Sequence, residues 1–212
     1  MNVPLNTTKV NTISINRLLV SGIHNLNHIP KTISQIKFQA RIDYISKGKL
    51  IKKIKKNEEI LIDGCHSETS AKNLADYLKS IKKPIYGICA GMQLFATKGH
   101  EEETTLGLNW IPGEVNKLDL GSSKLKIPHM GWNELKLKNR SKVFQDVNSE
   151  DHAYFIHSYE FIPEDQKVVS LTSNYGKELM AAVSLENIFG SQFHPEKSQS
   201  TGIKILTNFL NL

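Results

Sequence analysis

Cysteine is scarce in this chain of 212 residues, with only Cys65 and Cys89 present. Two thiols cannot build a disulfide framework, which points to a reducing compartment. No apolar run approaches the ~20 residues of a membrane-spanning helix. Residues 1–14 are polar and lack the continuous apolar stretch of a secretory leader, so the expected location is the cytoplasm. Internal repeats and low-complexity blocks are missing too, which excludes solenoids and linker-rich arrays. What remains is ordinary for a globular protein: 39% hydrophobic and 23% charged residues, in a chain long enough to bury a sizeable core.

The net charge of +6 owes much to a lysine-rich run at 47–56. Nucleic acid and anionic membranes attract such runs. This one has no interleaved aromatics and is followed by Glu58 and Glu59, so it reads as a solvated helix face with Leu50, Ile51 and Ile54 turned inward. Neither nucleic acid nor membrane is expected as a partner, and no cofactor or metal is expected.

The patterning divides into two halves. Short apolar runs at 18–21, 38–45, 60–63 and 85–88 predict strands, with helices expected near 30–36, over 69–81 and over 90–97. Strands are then expected at 115–118, 125–127, 134–137, 153–157, 168–172, 180–184 and 188–192, and a last helix over 201–210. Strand–helix alternation followed by hairpin-like strands predicts an α/β fold, a mixed but mostly parallel sheet with helices on both faces and extra antiparallel strands. The expected organisation is a polar extension, 1–14, and one domain, 15–212. Sites in open α/β sheets lie at the carboxyl ends of strands. The segments 22–25 and 64–67 and Cys89 all fall there.

Cys89 lies in Gly87-Ile88-Cys89-Ala90-Gly91, between a strand pattern and a helix pattern. Glycines around a central reactive side chain describe a nucleophile elbow, a sharp turn that holds the central residue in a strained conformation. The sulfur would sit at a helix N-terminus, where the dipole favours a thiolate. The competing reading is a buried core cysteine. Thiolate catalysis needs a base, and the base an orienting group. Gln192-Phe-His194-Pro-Glu196-Lys-Ser offers both. If the backbone stays extended through Pro195, His194 and Glu196 project to one side. Read alone, the segment is better taken as a surface His-Pro turn with a solvated glutamate, and only the cysteine elbow upstream shifts the weight to a Cys–His–Glu arrangement.

Together, Gly-Ile-Cys89-Ala-Gly-Met-Gln93 and Gln192-Phe-His194-Pro-Glu196-Lys-Ser resemble the class I (triad) glutamine amidotransferases. Two more blocks, Pro128-His-Met-Gly-Trp-Asn133 and Tyr154-Phe-Ile-His-Ser-Tyr159, look like the glutaminase subunit of imidazole glycerol phosphate synthases. Four blocks in the family's order are far more specific than any one. The resemblance implies a flavodoxin-like fold and hydrolysis of L-glutamine to glutamate and ammonia. Cys89 would be the nucleophile, His194 the base and then acid, and Glu196 its orienting partner. Oxyanion donors would come from the backbone of Ala90 and of Gly64-Cys65, and Gly91, Gln93, Glu101, Ser158 and Tyr159 would hold the substrate. The partner implied is a (β/α)8-barrel cyclase, docked near Asn25, Met130, Trp132 and Lys197 in a heterodimer that channels ammonia. Met130 and Trp132 read equally well as core residues, Gln93 as an exposed helix residue and Glu101 as a solvated charge.

Two loops depart from the family. Where it usually reads Asp-Tyr-Gly-Met-Gly-Asn, this chain has Val20-Ser-Gly-Ile-His-Asn25, and where it reads Pro-Gly-Val-Gly, this chain has Asp63-Gly-Cys-His66. His24 and His66 thus replace glycines, the residue most tolerant of positive φ. The departures leave three possibilities: a glutaminase of the histidine pathway, a paralogue feeding ammonia to a sugar amidotransferase that builds amidino groups on surface polysaccharide, or an inactive scaffold. A cysteine peptidase of similar fold is a further rival.

Overall fold

The computed structural model describes residues 17–21, 43–45, 60–63, 84–149 and 151–212. The extension 1–14, the lysine-rich run, the helices expected near 30–36 and over 69–81, and the loops with Asn25, Gly64, Cys65 and His66 lie outside the described residues.

Strands β1 (Arg17–Ser21), β2 (Asp43–Ile45), β3 (Ile60–Asp63) and β4 (Ile85–Ile88) match four expected runs. They join an eight-stranded sheet with β9 (Lys136–Leu137), β12 (Val169–Asn174), β13 (Glu178–Leu185) and β14 (Ile188–Ser191), in the order β2-β3-β1-β4-β14-β13-β12-β9. The centre, β3-β1-β4-β14, is parallel, while β2 and the β13-β12-β9 flank pair antiparallel. A second sheet runs β11 (Tyr159–Pro163), β7 (Gly113–Lys117), β5 (Lys98–His100), β6 (Thr104–Leu106). Strands β8 (His129–Glu134) and β10 (His152–His157) form a separate antiparallel pair.

Among the described residues, buried side chains fall into two clusters. Ile85, Met92, Phe95, Ile111, Val115 and Phe161 pack in one, Tyr86, Ile88, Phe144, Phe155, Phe189 and Phe209 in the other. Strand β4 serves both by alternation, Ile85 going to the first cluster and Tyr86 and Ile88 to the second. On the first side, Gly87 and Gly190 are register partners on β4 and β14. A Cβ at Gly87 would lie 2.7 Å from the Gly91 carbonyl oxygen, and one at Gly190 would lie 2.5 Å from Met92 Cγ. The two glycines open a notch into which Met92 and Phe95 pack, so the chain can fold back immediately after β4.

Four expectations need correcting. The helix after Cys89, α1 (Ala90–Gln93), is one turn long rather than reaching residue 97. The segment 107–111 takes over the carbonyls that would continue it: Leu108, Asn109 and Trp110 donate to Leu94, Ala96 and Phe95. Residues 125–127 form no strand. The carbonyl of Lys126 accepts from the Tyr175 hydroxyl instead, and Pro128 has no N–H for a ladder. The run 134–137 is not one strand, because buried Leu135 separates β8 from β9 and its N–H goes to Asp151. Strands β5, β6 and β11 and most of β8 lie where the sequence predicts none.

The last helix, α2 (Gln199–Leu210), forms as expected, starting two residues earlier. Lys204 Nζ and Thr201 Oγ1 both bind the Asp151 carboxylate at 2.8 Å, tying α2 to the residue before β10. A Cβ on Gly202 would fall 1.7 Å from the Pro195 carbonyl oxygen, so only glycine lets α2 pack against the turn that carries Glu196. Among the described residues no helix is long and apolar enough to cross a membrane.

Candidate active site

Cys89 closes β4 with φ 53° and ψ −112°, a conformation that side-chain-bearing residues adopt only under constraint. The constraint comes from both sides. The Cys89 N–H is held by Ser191 O at 2.7 Å, and the Cys89 carbonyl accepts from Met92 and Gln93 in the first turn of α1. The expected elbow is therefore present, although a single helical turn provides a much smaller dipole than the expected helix would have. Cys89 is half-buried and carries a free thiol.

His194 follows β14, which lies beside β4 in the sheet. Its N–H is fixed by Tyr154 O on β10 at 2.9 Å. Its ring nitrogen Nδ1 lies 2.7 Å from Glu196 Oε1. The route to that contact differs from the expected extended strand. His194 itself is extended, with φ −96° and ψ 97°, but Pro195–Lys197 turn into a 3-10 helix. Pro195 suits the first position of such a turn, where a missing N–H costs nothing. The turn curls the Glu196 carboxylate back under the imidazole.

Cys89 acts on the charge of the ring from the other side. Burial alone would push the imidazole towards its neutral form, but the influence of Cys89 and the bond and charge of Glu196 outweigh it and raise the pKa to about 9. His194 therefore holds a cation against the sulfur at neutral pH. Among the described residues Glu196 Oε2 and the Tyr86 hydroxyl are buried without a hydrogen-bond partner. Burial holds the Tyr86 phenol well above the usual tyrosine range, and the Glu196 charge adds to the effect.

Gln93 is half-buried at the end of α1 and spends its Nε2 protons inside the site, on Tyr159 O at 3.1 Å and Gln192 Oε1 at 3.0 Å. Ala90 and Gly91 begin α1, ahead of its first internal hydrogen bonds. Glu101 is exposed, and only its carbonyl is engaged, by the Tyr159 hydroxyl at 3.3 Å. The Ser158 carbonyl is taken by Leu118 N–H at 2.8 Å. No group of three or more His, Cys, Asp or Glu side chains among the described residues could hold a metal ion.

Met130 and Trp132 do not belong to the core. They project from the outer face of β8 with 58% and 48% of their surfaces exposed. In register beside them on β10 stand Ile156 and Tyr154. The Trp132 and Tyr154 rings meet edge-on at 6.0 Å, and Lys197 Nζ sits 5.5 Å from the Tyr154 ring centre. This is an apolar patch with Lys197 at its edge, on the strand pair that also carries Tyr154 O to His194.

Known proteins match both the sequence and the fold. The family model for glutamine amidotransferase class-I matches residues 11–212. The chain belongs to that family. It is 44% identical over 176 residues to the imidazole glycerol phosphate synthase subunit HisH of Pelagibacter ubique, covering 76% of this chain and 83% of the relative. It is 38% identical over 198 residues to subunit HisH 1 of Campylobacter jejuni, covering 89% and 95%. A solved structure from Thermoplasma acidophilum, provisionally assigned as part of a GMP synthase, superposes with a TM-score of 0.59 at 16% identity, covering 93% of this chain and 94% of the other. At that identity the likeness concerns the fold, which is the flavodoxin-like α/β fold of the amidotransferases.

Sequence reasoning missed other residues of this amidotransferase site. Gln192, fully buried, points Nε2 at Cys89 Sγ at 3.6 Å. His157, His129 and Asn133 form a buried hydrogen-bonded series that ends on Tyr159 O. A signal for the series was present: in His129-Met-Gly-Trp-Asn133, alternation sends His129 and Asn133 to one face and Met130 and Trp132 to the other.

Proposed function

We propose that this chain hydrolyses L-glutamine to glutamate and ammonia through Cys89, His194 and Glu196, as the glutaminase subunit of an imidazole glycerol phosphate synthase. The observations that carry the reading are the strained Cys89 at the end of β4 and the His194 ring, which interacts electrostatically with Cys89 and which Glu196 holds at 2.7 Å.

The sulfur attacks the side-chain amide carbon of glutamine as a thiolate, its proton residing on His194. The amide oxygen takes up negative charge and is met by the Ala90 N–H, the residue after the nucleophile, with Gly64-Cys65 as the second donor by family likeness. Collapse of the tetrahedral species breaks the C–N bond. The His194 imidazolium gives its proton to the departing nitrogen, and ammonia leaves behind a γ-glutamyl thioester. Neutral His194 then takes a proton from water as the water oxygen attacks the thioester carbonyl. Glutamate departs and the sulfur returns as thiolate beside an imidazolium. Glu196 orients the ring and stabilises its cationic state through both stages. Gly91, Gln93, Glu101, Ser158 and Tyr159 border the space for the substrate. Because Gln93 directs Nε2 inward, its Oε1 is the atom left to accept from glutamine.

The exposed Met130, Trp132, Tyr154 and Ile156 surface, with Lys197 and, by family likeness, Asn25, suits a protein partner. HisH relatives at 38–44% identity support a (β/α)8-barrel cyclase, which would use the ammonia to make imidazole glycerol phosphate and an aminoimidazole carboxamide ribotide in histidine biosynthesis.

Ammonia and glutamate release from L-glutamine, measured with and without the cyclase and its ribulosyl acceptor, tests the reading. Turnover should rise with the cyclase complex and vanish in Cys89→Ala. Hydrolysis surviving in Cys89→Ala refutes the nucleophile. Stimulation only by a sugar amidotransferase refutes the histidine-pathway assignment.

A further inference from the structure

Two buried histidines, His129 and His157, take no part in the mechanism above. Both lie on the inner faces of the β8–β10 pair and are almost fully covered. His157 Nδ1 is 2.8 Å from Tyr159 O, and its other nitrogen, Nε2, is 3.0 Å from His129 Nδ1. His129 Nε2 is 3.2 Å from Asn133 Nδ2, which also donates to Asn174 O at 2.8 Å. The Asn133 amide cannot be turned over, because its Oδ1 accepts from Glu134 N–H at 2.9 Å. His129 is held flat between Phe155 and Tyr175, with ring centres 4.5 and 4.0 Å away.

The two ends of the series fix every proton in it. A carbonyl only accepts, so His157 carries its proton on Nδ1. An amide nitrogen only donates, so His129 Nε2 is bare. His129 must then carry its proton on Nδ1 and give it to His157 Nε2. One arrangement satisfies every contact, with both rings neutral, and a further proton would set two donors face to face. Burial lowers both pKa values to about 4; for His157 the bond to Tyr159 O opposes that shift and the His194 charge adds to it, while for His129 the neighbouring His157 adds to it. The titratable groups facing the pair are His194, with Cys89 and Glu196 beyond it, and Tyr175 on the other ring.

From Tyr159 O further hydrogen bonds lead on to the sulfur. Tyr159 O accepts both His157 Nδ1–H and Gln93 Nε2–H, Gln93 donates again to Gln192 Oε1, and Gln192 Nε2 lies on Cys89 Sγ. We infer that His157 and His129, locked as neutral Nδ1–H tautomers by Asn133, are positioning residues for glutamine hydrolysis. They aim the Tyr159 carbonyl, which sets the amide orientation of Gln93 and, through it, of Gln192. The role rests on the glutaminase reading above, whereas the proton arrangement does not.

Two measurements on the full chain test this. In protein labelled with 15N-histidine, long-range 1H–15N spectra report which nitrogen of each ring is protonated, with Phe substitutions at 129 and 157 assigning the signals. Both rings should show the Nδ1–H pattern and stay neutral from pH 8 to pH 5.5. An Nε2–H pattern, or titration above pH 6, in either ring overturns the proposal even if hydrolysis proves absent. The second measurement is glutamine hydrolysis by His157→Asn, whose amide can donate from the position of Nδ1, and by His157→Phe, which cannot donate. His157→Phe should raise KM for glutamine about tenfold with kcat within about threefold, and His157→Asn should restore KM to within about twofold of the parent. Equal effects of the two substitutions, or an unchanged KM in His157→Phe, overturn the positioning role. Should His157→Phe fail to fold, a tenfold rise of KM in a folded His157→Asn overturns it as well. Loss of Cys89-dependence in the parent would instead sink the glutaminase reading.

Discussion

Replacing Cys89 by glycine and, separately, by alanine isolates the energy stored in the elbow. Both substitutions remove the sulfur and should abolish hydrolysis, so any difference between them comes from the backbone and one methyl group. At φ 53° and ψ −112° a residue with a Cβ is strained. Such conformations cost about 1–3 kcal/mol. Alanine keeps that strain and glycine relieves it. Against the relief stands the greater freedom of glycine in the unfolded chain, about 0.4–1 kcal/mol. Loss of a half-buried methyl removes roughly 0.4 kcal/mol more, half the value of a fully buried one. The balance favours Cys89→Gly over Cys89→Ala by about 1 kcal/mol, a Tm higher by roughly 2–4 °C in a domain of this size. Urea and thermal unfolding of the two proteins side by side read the difference. If Cys89→Ala is as stable as Cys89→Gly or more so, the elbow stores no strain and the hydrogen bonds around it are not holding the residue against its preference.

Glu196→Gln leaves His194 with a neutral acceptor, so the ring should titrate below its present value of about 9 and hydrolysis should fall roughly 10²-fold, at the lower end of what a positioned acid–base group contributes; an unchanged pH–rate profile would show that Glu196 does not support the imidazolium. Fold stability should itself depend on pH with two opposite slopes. The raised pKa of His194 adds stability that is complete below its unfolded value of 6.5 and is lost as pH climbs through about 9. The lowered values of His129 and His157, about 4, add stability that is complete above 6.5 and is lost as pH falls through 4. Urea midpoints between pH 4 and pH 10 should therefore peak near neutrality, and a midpoint still rising at pH 9.5 would contradict the His194 assignment. Trp132→Asp places a charge in the exposed β8–β10 patch, so affinity for the cyclase should drop by at least ~2 kcal/mol, the threshold of an interface hot spot, in calorimetric titration with circular dichroism unchanged; parent affinity would place the interface elsewhere.

Elements with strong local signals were legible in the sequence. Strands β1, β3, β4, β10, β12, β13 and β14 and helix α2 carry dense apolar runs or helical spacing, and the structure puts them within a few residues of the expected bounds. The elbow was legible because glycine reports backbone geometry directly. Strands β5 (Lys98–His100) and β6 (Thr104–Leu106) were not, since polar, largely uncovered residues leave no alternation to read. The length of α1 was illegible for another reason. Residues 94–97 suit a helix, and only the distant segment 107–111, by claiming the carbonyls of Leu94, Phe95 and Ala96, stops it. The His194–Glu196 contact was expected for the wrong backbone, because spacing of two fits a strand and a tight turn alike, and Pro195 selects the turn. Gln192 escaped notice as a group on the sulfur because nothing in a strand-end glutamine distinguishes a buried polar contact from a solvated one.

Strand β10 explains why these residues form one unit. Its backbone carbonyls line the site from behind: Tyr154 O fixes the His194 N–H at 2.9 Å, and Ile156 O lies 3.9 Å from Cys89 Sγ. Its inner side chains, Phe155 and His157, pack against and bond to His129. Its outer side chains, Tyr154 and Ile156, lie in the exposed patch with Trp132 and Met130. In a strand, side chains and carbonyls move together, because the peptide planes between them are stiff. The same strand thus carries both the exposed-patch side chains Tyr154 and Ile156 and the carbonyls beside His194 and Cys89.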